Sequence, residues 1–128
     1  MDILAALFIE GIDIRQVPGP STRIDLTGIQ FSAPAPSEPP FTVEPHLVVI
    51  VHCPPDGRPT AALEVLYTRD GEQIARNVQP LEVEPGKFNY RLVRAELTFD
   101  AYETVEARCG IDFGTEIVVP FTLLPPAG

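Results

Sequence analysis

From Thr104 to Phe113 the chain alternates without interruption. Val105, Ala107, Cys109, Ile111 and Phe113 share one parity; Thr104, Glu106, Arg108, Gly110 and Asp112 take the other. A period of two belongs to a strand with one dry face and one wet face. The same period returns in Ala61, Leu63, Val65 and Tyr67, and again in Ile117, Val119, Phe121 and Leu123. Turn residues stand between such runs: Pro18-Gly19-Pro20-Ser21, Pro54-Pro55-Asp56-Gly57, Asp70-Gly71, Pro85-Gly86 and Gly114. Fifteen prolines and nine glycines supply this punctuation and disfavour a helical bundle, and no stretch carries a helical period. The reading is an all-β antiparallel β-sandwich of about eight or nine strands, with 1–128 forming a single domain.

Individual segments refine it. Asp2 to Arg15 reads as a strand, a turn near Gly11 and a second short strand. Ile24, Leu26, Ile29 and Phe31 alternate with a change of phase at Gly28, where a β-bulge is expected. Residues 32–40 hold four prolines and read as an extended connector without a core signal; flanking basic residues that would favour a PxxP ligand are missing. Phe41 to Cys53 is apolar on both parities, so part of it is covered on both faces. Asp70-Gly71 sits between alternating runs and predicts a hairpin with a type I′ turn. Phe88, Tyr90 and Leu92 share one parity while Val93, Ala95, Leu97 and Phe99 have the other, which predicts a bulge, a bend or a crossing between sheets near Leu92 and Val93.

The order of these pieces resembles a known family. An opening apolar strand and a Pro-rich connector lead to Leu47-Val48-Val49-Ile50-Val51, Asp56-Gly57-Arg58-Pro59 and Leu63-Glu64-Val65. The Asp70-Gly71 hairpin, Leu97-Thr98-Phe99, Tyr102-Glu103, Val105 to Asp112 and a last apolar strand follow. This resembles a family of short bacterial β-sandwich proteins of unknown function and, more loosely, immunoglobulin-like modules. The resemblance covers almost the whole chain and implies a fold, with no established activity. Such families often carry a glycine-rich stretch after the first strand; here Gly11 stands alone before Ile12-Asp13-Ile14.

Eighteen acidic residues against nine basic ones give a net charge of −9. The cations are dispersed, so the phosphate neutralisation behind nucleic-acid binding is disfavoured, as is an anionic membrane surface. No run of about 18 apolar residues provides a helical membrane span. The first ten residues lack a basic n-region and a small-x-small cleavage site, so they read as a mature strand and a cytoplasmic location is expected. In that compartment Cys53 and Cys109 stay reduced, as small buried hydrophobes. The other reading is an exported sandwich with a Cys53–Cys109 bridge.

Chemistry finds little to work with. The three serines, Ser21, Ser32 and Ser37, lie in Pro-rich turns, and no Gly-x-Ser-x-Gly elbow occurs. His46 and His52 share a parity on one strand but stand ~20 Å apart at ~3.3 Å per residue, too far to serve one atom. No Cys-x-x-Cys pair suits zinc. Asp56, Asp70, Asp100, Glu103 and Asp112 belong to different turns, without the spacing of a calcium loop. Tyr102 reads as a corner tyrosine bonding the backbone through its hydroxyl. No cofactor and no metal are expected.

The functional expectation is a non-enzymatic interaction or assembly module. Unpaired edge strands and outward Val118 and Leu124 on the last strand are its candidate surface, and a homodimer is the expected assembly. The alternative is a small-ligand-binding protein or enzyme, with a pocket between the sheets or at a loop end lined by His46, Arg91, Arg94 or Tyr102.

Overall fold

The computed structural model describes residues 1–16 and 22–126. The Pro18-Gly19-Pro20-Ser21 turn lies outside the described residues. Those described form twelve strands and no helix: β1 (Asp2–Ile9), β2 (Gly11–Gln16), β3 (Thr22–Thr27), β4 (Ser32–Pro34), β5 (Phe41–Val43), β6 (His46–His52), β7 (Thr60–Arg69), β8 (Glu72–Glu82), β9 (Phe88–Arg94), β10 (Leu97–Phe99), β11 (Thr104–Ile111) and β12 (Ile117–Leu124). This exceeds the eight or nine expected. Three of the twelve, β4, β5 and β10, are only three residues long, too short for a period of two to register.

Two sheets dominate. One has the order β1-β6-β9 and the other β4-β12-β11-β7-β8, while β10 pairs with β5 and β2 with β3. Pairing is antiparallel except at one edge, where β4 runs parallel to β12. The Pro-rich segment 32–40 is therefore more than a connector. It supplies that edge strand, and its Ala35 is buried in the core.

The inner faces follow the alternation. Ala6, Phe8, Leu47, Val49, Val51 and Val93 come from the first sheet; Leu63, Val65, Tyr67, Val105, Ala107 and Phe121 are among those from the second. Phe8 and Phe121 meet edge to face across the layers, ring centroids 5.2 Å apart, a favoured aromatic geometry. The chain between β3 and β4 bridges the layers: Gln30 N–H donates to Phe8 C=O and Thr122 N–H to Phe31 C=O, each at 2.9 Å.

The turns behave as their residues require. Asp70 and Gly71 both take positive φ, 50° and 81°, the type I′ geometry that suits the twist of β7 and β8. At Gly28, with φ of 64°, the Glu10 N–H donates to both Thr27 and Gly28 carbonyls at 3.0 Å. Two residues facing one is the arrangement of a bulge. Beyond it the alternation fails as a strand signal: Ile29 and Phe31 are half exposed.

The other face of the first sheet has a second layer. Val48 is fully buried there and Ile9 nearly so, although neither belongs to the main core. On that face β9 contributes Tyr90 and Leu92, so the apparent change of parity near Leu92 and Val93 is a strand with two apolar faces. The chain breaks later, at Ala95-Glu96, between β9 and β10. Register in the β2–β3 hairpin pairs Ile12 with Leu26 and Ile14 with Ile24. Cross-strand partners share a face, which gives this hairpin an apolar side and a polar side carrying Asp13, Arg15, Arg23 and Asp25.

Candidate functional site

Among the described residues, the most exposed large apolar side chain is one whose parity predicts burial. Phe113 is 84% exposed. The β11 alternation holds through Val105, Ala107 and Cys109, all fully buried, and stops at Ile111, where the strand ends. Asp112 and Phe113 then take φ of 48° and 59°, and this pair of left-handed residues turns the phenyl ring outward. Aspartate tolerates such angles, as Asp70 does in its own turn, but a bulky aromatic residue does not, and Phe113 pays ~1–2 kcal/mol for its own.

The turn is held on both sides. The Ala62 N–H donates to Asp112 Oδ1 at 2.9 Å, and the Asp112 N–H donates to Ala62 C=O at 3.0 Å. The Gly114 N–H closes the loop on Ile111 C=O at 2.9 Å. Beside the ring lies a shallow hollow on the outer face of the second sheet, lined by Glu64, Leu66, Arg108, Gly110 and Glu116. Arg76 Nη2 lies 2.7 Å from Glu64 Oε2; Arg108 Nη2 is 3.6 Å from Glu106 Oε1. Val118 and Leu124 are on this same outer face, 40% and 42% exposed. In register Val118 stands opposite Arg108, and Leu124 opposite Pro34 at the far end of β12.

A second apolar feature lies on the other side of the molecule. The β2–β3 hairpin and the outer face of the first sheet enclose an open cleft of about 280 Å³, lined by Ile14, Ile24, Ile50, Phe88, Asn89 and Tyr90. Ile14 is 52% and Phe88 60% exposed at its mouth. His52 stacks on Phe88 with ring centroids 4.6 Å apart.

Of the groups weighed for a catalytic pocket, His46 and Arg94 are cross-strand neighbours, while Arg91 and Tyr102 lie apart from them. His46 sits in register with Ile9 and Arg94 at one end of β6, and His52 with Phe88 at the other. The Arg91 guanidinium donates to the Tyr90 and Pro80 carbonyls. Tyr102 stays 41% exposed in the turn between β10 and β11. Core side chains fill the centre between the two main sheets; open hollows remain at the edges, one of about 290 Å³ between the start of β1 and the β11–β12 turn and one of about 250 Å³ lined by Pro80, Glu82 and Arg91. Among the described residues no three His, Cys, Asp or Glu side chains gather as metal ligands.

Both thiols are free and buried. Cys53 Sγ lies 3.4 Å from the Arg58 carbonyl, which can accept its hydrogen. Burial, reinforced by Glu116, pushes the Cys109 thiol up to about 12, so it is a poor nucleophile at neutral pH. Burial also raises the Tyr67 phenol, Cys109 adding to it.

The edge strands expected as a docking surface are partly occupied. Along the β8–β9 seam, Gln79, Asn89 and Arg91 make long contacts to the Leu92, Glu82 and Pro80 carbonyls, at 3.5, 3.3 and 3.4 Å. Pro80 offers no N–H to a further strand. At the corner of β7, Arg69 lies 2.9 Å from Glu103 as a charge pair, 5.7 Å above the Phe99 ring, and donates to Thr98 C=O. No protein-family model and no curated protein matches this chain.

Proposed function

We propose that this chain is a non-catalytic interaction module of immunoglobulin-like build. Support for the build comes from the pairing order, with β1-β6-β9 in one layer, β12-β11-β7-β8 in the other and β4 parallel to the last strand. The observation that carries the function is Phe113, a large apolar side chain exposed by a strained turn that two backbone-anchored hydrogen bonds hold in place. Exposed aromatic anchors of this kind dominate binding energy at protein interfaces. Strain that the fold itself does not use has a functional reading. Val118 and Leu124 extend the apolar surface along the same face.

The test places a photo-crosslinking phenylalanine analogue at position 113 in the producing cell. The expected result is one dominant protein adduct, lost when unlabelled wild-type protein is in excess, and none when the analogue replaces the exposed Tyr102 in the turn between β10 and β11. Indiscriminate labelling from position 113 overturns the reading.

A further inference from the structure

We infer that the partner of Phe113 is a second copy of this chain, and that the ring enters the cleft between the β2–β3 hairpin and the first sheet. The inference rests on the reading of the chain as a protein-binding module and names its occupant. The two features are complementary. One is a single projecting phenyl group, 84% exposed; the other is an apolar cleft of about 280 Å³ between Ile14 and Ile24 on one wall and Ile50, Phe88 and Tyr90 on the other. Each leaves apolar surface in water that the other would cover.

Charge favours this pairing over a two-fold one. Of the carboxylates around the phenyl group, Glu64 is paired with Arg76, which leaves Asp112 and Glu116 as the acidic side chains beside the ring among the described residues. Two such loops face to face would set each carboxylate against its own copy. The residues that line the cleft, Ile14, Ile24, Ile50, Phe88, Asn89 and Tyr90, carry no charge, and Arg15 pairs with Asp25 on the hairpin's other, polar side. In a chain of net charge −9, an uncharged cleft is the least repulsive place for an acidic loop.

Ring and cleft occupy different surfaces of one molecule, so the contact is heterologous. Copies joined this way add head to tail and do not close as an isologous dimer. Under this proposal the assembly is an open chain of copies, or a ring where the rotation between them closes, rather than the closed homodimer expected from the sequence.

Sedimentation velocity from 1 to 500 μM tests this with two exposed substitutions, F113S and I14E. The wild type gains mass past the dimer. Each variant alone stays monomeric, its self-affinity down by roughly thirtyfold or more, as for loss of a central anchor. A one-to-one mixture of the two forms a dimer and stops, because only one intact ring and one intact cleft remain to meet. Circular dichroism confirms that both variants are folded. A wild type that stays monomeric at 500 μM overturns the head-to-tail inference while position 113 crosslinking to another protein sustains the module reading. A wild-type dimer that saturates, or a mixture that fails to pair while the wild type grows, also overturns it.

Discussion

At position 113 stability and exposure are set against each other. Phe113 has φ of 59° and buries little of its ring, so F113G relieves the strained backbone at small cost in lost contacts. Urea unfolding should find F113G more stable by about 1 kcal/mol, while its self-association is lost. A stabilising change that abolishes binding is the signature of strain kept for function. Deeper in the sheet, Cys109 sets the response to alkali. Its thiol rises from 9.0 to about 12 on folding, so the folded state holds that proton more tightly. The contribution is fully present below about pH 9 and is lost as pH rises toward 12. Tyr67, also raised by burial, acts in the same direction. Unfolding curves at pH 7.5 and 10.5 should show a clear loss of stability at the higher pH, and C109A should flatten it. Phe113 also marks where sequence reading stops. Its parity matched Val105 and Cys109, and nothing in a period of two reveals that two consecutive residues adopt left-handed angles and invert the next side chain.

Among the elements, the long strands were legible and the short ones were not. Leu63, Val65 and Tyr67 alternate over a ten-residue strand, enough to separate core from solvent. β4, β5 and β10 owe their existence to backbone pairing with distant partners, which leaves no local pattern; Ala35 is buried because β4 docks on β12. The double parity of Phe41–Cys53 did announce a second layer, though not the hairpin near it. Val48 provides a check on that layer. It faces away from the main core yet is fully buried, so V48A should destabilise by about 2 kcal/mol, close to the cost of V49A on the core side. A near-neutral V48A in thermal or urea unfolding would mean the outer face is open to water.

For the molecule as a whole, net charge of −9 opposes any approach of one copy to another. Contact between a phenyl ring and an apolar cleft has no ion pair to lose, whereas the long-range repulsion is screened, the Debye length falling from ~10 Å at 0.1 M salt to ~3 Å at 1 M. Self-association should therefore strengthen as sodium chloride rises from 50 to 500 mM, read by sedimentation; an interface built on salt bridges would weaken. The clamp between Asp112 and Ala62 bears on timing as well. Because folding has already fixed the loop, docking forfeits little conformational freedom. A tethered, wobbling version of the same loop would have to search for its pose at every encounter, and its complexes would be rarer and shorter-lived though every touching atom were the same.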